Sequence, residues 1–510
     1  MSDLILYNAN VLTLEGRRPR AELVAVKGDK ISFVGENKEL PLFKSKGGKL
    51  IDLEGKTLLP GFNDAHCHIF SYLRKLLSLD LSGVKSIAEI KEAILRQAQK
   101  TPKGRWLTGT GYNEFNLAEK RHPTRFDLDD VAPEHPVILV HQSLHACVLN
   151  SLALSLAQIS GETEEPPGAL FERSPSGELT GVLFEMLAYI RSKVLPPLSE
   201  EELEQASRLA NEHYLSSGIT SLQDLSPNND FERWQTFSQL KERGKLKSRI
   251  CMFFGVKARG EFEERGLTTG FGSTSLRLGG LKVMLSQATG KLEPSKEELE
   301  ELILSSHQGG YQVAIHATSE EMVTEAISAL ENLKAKAPDF PRRHQIVHCS
   351  ESPPHLFERL KKLKPLIVTQ PPFIYFNGDR YLKSIPAEHH RFLYRIGSFL
   401  KEGLTVAGSS DSPVVPHNPL IGIYAACTRK TEGGKELAPE EKVTPWEALK
   451  LYTLNGAYAS FEEEIKGSIK AGKLADMVVL SDDPTKPPPE RIKEIKVLAT
   501  IIGGELVWEV

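Results

Sequence analysis

The chain has 510 residues, room for one large barrel-type domain beside a smaller one or for about three ordinary domains. Its composition, 40% hydrophobic and 25% charged, is that of a soluble globular protein. A net charge of -4 supplies no basic surface, so neither nucleic acid nor a membrane is expected as partner.

The N-terminus, Met1-Ser-Asp-Leu-Ile-Leu-Tyr-Asn, has no basic region ahead of an apolar stretch and does not read as a signal peptide. Residues 1–57 read as short strands: Leu4-Ile-Leu-Tyr, Asn10-Val-Leu-Thr-Leu, Glu22-Leu-Val-Ala-Val and Lys30-Ile-Ser-Phe-Val, with turns at Gly16, Gly28 and Gly35. The chain's end, residues 467–510, has the same character. Neither end alone has enough strands to bury a sheet face, so both are expected to form one small β-sandwich.

Between them, residues 58–466 alternate strands and helices. The first strand is expected to run from Leu58 to His68. Later ones are Ile219-Thr-Ser-Leu-Gln-Asp, Arg249-Ile-Cys-Met-Phe-Phe, Leu278 to Leu285, Gln312-Val-Ala-Ile-His, His344 to Cys349, Pro365 to Gln370, and Leu404 to Asp411. Helical spacing fills Ser295 to His307, Ser319 to Lys336 and Pro354 to Lys364, and Thr444-Pro-Trp-Glu is a capped helix start. Eight apolar strands separated mostly by helices are the arithmetic of an α/β fold, a TIM (β/α)8 barrel. Residues 70–217 are too long for one connection and read as a mixed subdomain inserted after the first strand. The five cysteines are scattered, odd in number and never paired as C-x-x-C, which fits reduced thiols in a cytoplasmic protein.

Metal-competent residues fall at or near the strand ends. His66 and His68 close the first strand, and alternation puts two residues that are two apart on one face. Lys282 lies in the fourth, His316 ends the fifth, His348 the sixth and Asp411 the eighth. Barrel enzymes build their sites from several strands at that rim. Neutral imidazoles hold a divalent metal, zinc best of all, while leaving a position open for water. An aspartate beside them can ligate the metal and move the water's proton to a leaving nitrogen. A free ammonium cannot ligate, so Lys282 is either a buried ion pair or, carboxylated by CO2, an anionic carbamate able to bridge two metals.

Taken together, the motifs resemble the amidohydrolase superfamily, in its amidohydrolase-3 or YtcJ-like branch. They are Pro60-Gly-Phe-Asn-Asp-Ala-His-Cys-His68, His122-Pro-Thr-Arg-Phe-Asp-Leu-Asp129, His145-Ala-Cys-Val-Leu-Asn-Ser151, Gly181-Val-Leu-Phe-Glu185, Leu281-Lys282, Ile315-His-Ala317, Val347-His-Cys349, Gln370-Pro and Gly408-Ser-Ser-Asp-Ser-Pro413. The tail from Gly467 through Asp476 to Leu480 marks the family more than the chemistry. The resemblance implies a metal-dependent hydrolase of non-peptide C–N bonds holding one or two divalent ions. It makes His66, His68, His316 and His348 ligands, Asp411 ligand and general base, and Lys282 the carbamate. With one metal, His348 would instead orient the water or the substrate, as a catalytic residue beside Asp411.

Departures from the branch surround these positions. Met284-Leu-Ser-Gln stands where an Asp-Gly pair is usual, Thr318-Ser319 where Gly-Asp is common, and Ser143-Leu144 where Asp-Gly precedes His145. They leave the substrate, a small molecule, unassigned. In the insert, His141, His145 and Asn113 are candidate substrate contacts, with packing as their bland alternative. A heterocycle deaminase would use the same metal and water, but the glutamate expected three residues after His316 is displaced to Glu320. A non-catalytic metal-binding protein on the same fold is the alternative of another class. A homodimer is compatible with all of these readings.

Overall fold

A computed structural model describes residues 3–44, 48–337, 342–486 and 488–510. Contacts divide the chain into two compact units. The first holds residues 1–68, 208–284 and 296–510; the second holds 69–207 and 285–295.

The first unit contains eight parallel strands in sequential order: β1 Phe62–Cys67, β2 Ile219–Asp224, β3 Arg249–Gly255, β4 Leu276–Met284, β5 Gln312–Ala317, β6 Gln345–His348, β7 Leu366–Thr369 and β8 Val406–Gly408. Six of them are buried along their whole length besides short β8, as expected of strands covered on both faces. β8 meets β1 through the Asp411 N–H donating to the His66 carbonyl at 2.8 Å and the His68 N–H donating to that of Ser412 at 2.7 Å. The sheet is thus an α/β barrel closed at its rim. The interior is filled by Ala65, Leu225, Phe253, Ala314, Val347, Val368 and Ala407, against Ala459. Gly280 lets β4 approach β5: a Cβ there would fall 2.1 Å from the Gln312 carbonyl oxygen. Helices Lys296–Gln308, Glu320–Lys336 and Pro354–Leu363 connect the strands close to where the spacing placed them. Ser319 accepts from the Met322 N–H as their second helix's N-cap, and Thr444 with Glu447 forms a capping box.

The chain termini form two sheets of four and six strands around one apolar core that includes Leu6, Val11, Val24, Met477, Val479 and Ile501. One correction concerns the run from Leu58 to His68. Thr57–Pro60 pairs with Asn10–Leu12 and Met477–Leu480 in the terminal six-stranded sheet, and the barrel strand begins only at Phe62. Another concerns the eighth strand, which ends at Gly408 and leaves Asp411 in the loop beyond it.

The second unit is built on a mixed six-stranded sheet containing Leu107–Tyr112, Val137–His141 and Ala146–Leu149. Its alternation is clean: Val137 and Leu139 pack with Ile87, Ile90 and Ile94, whereas Ile138 and Val140 pack on the opposite face with Leu154 and Leu183. Among the described residues no helix is long and apolar enough to cross a membrane.

Candidate metal centre

The rim of the barrel gathers the expected side chains. His68 Nε2 lies 3.0 Å and His66 Nε2 3.4 Å from Asp411 Oδ1, and one donor atom from each of the three residues falls within 4.8 Å of the others. Among the described residues this is the one such group that could hold a metal ion. The His348 ring sits 5.2 Å from that of His66 and 4.5 Å from that of His316, centroid to centroid. Lys282 is buried in β4, close enough for its charge to act on both His66 and Asp411.

Electrostatics suit a cation. Burial, reinforced by the neighbouring Lys282 and histidines, holds His66 well below its ordinary value, so the ring is neutral. Burial alone would raise Asp411, but the hydrogen bond and charge of His68, with His348 and Lys282, bring it below its ordinary value and keep it ionised. Burial pushes the Lys282 amine down to about 7, and its Nζ has no hydrogen-bond partner among the described residues. A buried carboxylate, the neutral His66 ring with His68 beside it, and an unpartnered amine are a donor set that a divalent ion would satisfy.

A second layer orients these groups. Asp64 accepts from the backbone N–H of Ser410 at 2.9 Å and from its hydroxyl, tying β1 to the loop that carries Asp411. Ser226 Oγ lies 3.2 Å from His68 Nδ1, and the Ser226 N–H donates in turn to Asp224 at the end of β2. Gln370, just past β7, has its Oε1 2.7 Å from His348 Nδ1. Such outer partners fix ring orientation and tautomer in metal sites. Asp64, Asp224 and Gln370 carry no role in the sequence reading, which leaves β2, β3 and β7 without a rim residue.

The candidates in the inserted unit have partners there. His141 Nε2 is 2.8 Å from Glu114 Oε2, with His122 Nδ1 3.9 Å from the same oxygen. Asn113 donates to Gln142 Oε1 at 3.1 Å and accepts from the Phe115 N–H. His145 pairs with Glu185 at 2.8 Å, its side chain 41% exposed.

Known proteins place this geometry. Over its full length the chain is 29% identical to the N-substituted formamide deformylase of Arthrobacter pascens, covering 99% of that protein. Over 99% of both chains it is 28% identical to the putative amidohydrolase YtcJ of Bacillus subtilis. A crystal structure of an uncharacterized metal-dependent hydrolase from Pyrococcus furiosus superposes with a TM-score of 0.74 at 26% identity, over 95% of this chain and 100% of that one. The profile of the amidohydrolase family matches residues 49–508, the whole chain except the first strands of the terminal sheets, and the chain therefore belongs to the amidohydrolase family of hydrolases.

Proposed function

We propose that the protein is a metal-dependent hydrolase that opens a carbon–nitrogen bond other than a peptide bond, in an amide, an N-acyl compound or a cyclic amide. The observation that carries this reading is the convergence of His66, His68 and Asp411 on one ion-sized position. His66, His68, His316, His348 and Asp411 would hold the metal, zinc being best suited to these donors. Lys282, once carboxylated, would hold a second ion, and a neutral buried amine is the form that takes up CO2. When bound, the ion lowers the pKa of water to about 7 and polarises the substrate carbonyl. Asp411, kept ionised, accepts a proton at its carboxylate and returns it to the leaving nitrogen. His348 is the second catalytic candidate, its ring 5.2 Å from that of His66, which the His68 ring also approaches at 4.9 Å.

Of the three candidate substrate contacts in the insert, we retain His145 first, because its side chain is the exposed one. His141 and Asn113 are engaged by Glu114 and Gln142, which a packing role explains. The deaminase alternative is weakened by Glu320, whose carboxylate is 44% exposed and 3.4 Å from His355 Nε2.

The test is metal analysis of the purified protein together with turnover of a panel of N-substituted formamides, N-acyl amino acids, cyclic amides and aminoheterocycles. Formamides enter the panel because the Arthrobacter relative is a deformylase of that class. Bound zinc with an amine released from one of the first two classes, or a ring-opened amino carboxylate formed from the third, is the expected result. A folded sample that neither contains nor takes up metal overturns the proposal, and ammonia release from aminoheterocycles alone would replace it with deamination.

A further inference from the structure

The side chain of Gln370 reaches both the His66 and His348 rings and is fully buried, as are Ser409 and Thr369. A glutamine amide can be turned end for end without changing its shape, so its orientation has to be read from its neighbours. Here they fix it. Ser409 Oγ lies 2.9 Å from the Thr369 carbonyl oxygen, which can only accept; the single hydroxyl proton therefore goes there. Ser409 Oγ is then an acceptor toward Gln370 at 3.0 Å, and the amide must present its NH2 to it. Oε1 is left facing His348 Nδ1 at 2.7 Å, and an acceptor at that distance requires a proton on Nδ1. The same NH2 also reaches His66 Nδ1, at 3.4 Å, a longer contact than the 3.0 Å one to Ser409.

We propose that Gln370 is a positioning residue: oriented by Ser409 and the Thr369 carbonyl, it holds neutral His348 as the Nδ1–H tautomer and leaves the Nε2 lone pair for a ligand or acceptor role. His348 then cannot serve as an N–H donor to substrate from Nε2 while the amide is in place. The backbone helps hold the amide. Gln370 is the N-cap of helix Pro371–Ser384, whose first two residues are prolines, and the seventh-strand carbonyl of Thr369 also accepts the Ser409 N–H at 3.0 Å. The consequence for an ion rests on the hydrolase reading above; the tautomer does not.

The experiment is long-range 1H–15N correlation of histidine-labelled, metal-free full-length protein, with the His348 signal identified by its loss in His348→Gln. The wild type and Gln370→Glu, which keeps an acceptor, are expected to show a protonated Nδ1 and a bare Nε2; Gln370→Met, similar in size with no acceptor, is expected to lose that signature. A zinc titration of the same proteins against a chelator should show Gln370→Met about 10–100-fold weaker, with no further loss in a His348→Ala background. A His348 protonated on Nε2 in the wild type, an unchanged tautomer in Gln370→Met, or an equal loss of zinc affinity in both backgrounds overturns the proposal. Because the tautomer is read without metal or substrate, its failure leaves the hydrolase reading standing. Conversely, a correct tautomer in a protein that takes up no zinc defeats only that reading.

Discussion

Asp411→Asn separates charge from shape at the centre of the proposed chemistry. The residue sits at φ 59°, in the left-handed region that asparagine tolerates about as well as aspartate, and its N–H and C=O bonds to His66 and Val414 are made by backbone atoms. The amide thus keeps volume, backbone and one neutral oxygen near the position that lies 3.0 Å from His68 Nε2. What it removes is the negative charge and the proton acceptor. General-base groups typically contribute about 10²–10⁴ in rate, or about 2.7–5.4 kcal/mol of barrier.

The assay is kcat and kcat/KM on the substrate identified from the panel, with zinc per chain measured on the same samples. The expected result is a loss of about 10²–10⁴ in kcat with most of the zinc retained. A variant with wild-type kcat refutes the proton-transfer role. So does a variant that loses zinc and activity in step and recovers both in excess zinc, since Asp411 would then serve only to retain the ion.

Three further predictions follow from other parts of the molecule. Lys282→Met should lower the zinc content from two ions to one if the lysine is carboxylated; a bare amine at Nζ beside a single ion in a zinc-loaded crystal refutes the two-ion version. Arg249→Met breaks a buried bidentate pair with Asp476, made at 2.6 and 2.9 Å, and leaves that carboxylate buried with the Gly503 N–H among its remaining donors. Denaturant unfolding should show a loss of about 3–5 kcal/mol, and a loss below about 1 kcal/mol refutes the estimate. Burial alone would raise Glu114, but the hydrogen bond and charge of His141 bring it down to about 2. Its folded value thus lies below the unfolded one, so its contribution is complete above about pH 4.5 and fades as the pH falls toward 2. His141→Ala should flatten the stability profile in that acid window, and an unchanged profile refutes the pairing.

Much of the barrel was legible because its strands are short apolar runs between helix starts with recognisable caps. Lys282, His316 and His348 fall on the fourth, fifth and sixth strands where the reading placed them. What it missed has physical reasons. Leu58-Leu-Pro and Phe62 onward are both apolar, so nothing in residue type marks the change of sheet at Gly61; it follows from pairing with Met477–Leu480, far along the chain. Gln370 is one polar residue before a proline, and its use depends on which way an amide faces, set by Ser409 just past β8.

The orientation of the histidines carries the same lesson further. In β5, Ala314 packs into the barrel interior, so alternation turns His316, two residues on, inward as well. In β6 it is Val347 that packs inward, and strict alternation would point His348 away from the site. The structure instead gives His348 and Cys349 left-handed φ values of 70° and 49°, and that turn brings the ring against His66 and His316. In β1, Ala65 packs inward, so His66 should face out by the same rule. There the register slips: Leu222 pairs with Asp64 but Asp224 with Cys67, which puts one extra residue in β1 just where the histidine lies. Alternation correctly keeps His66 and His68 together, yet it is a bulge in one strand and a left-handed turn ending another that aim His66 and His348 at the centre. A left-handed state like that of His348 costs about 1–3 kcal/mol and persists where surrounding bonds over-determine it. Here those bonds are the ones that Ser410 donates to Asp64 and His348 to Gln370, which makes the outer layer part of what sets the site's geometry and not an accessory to it.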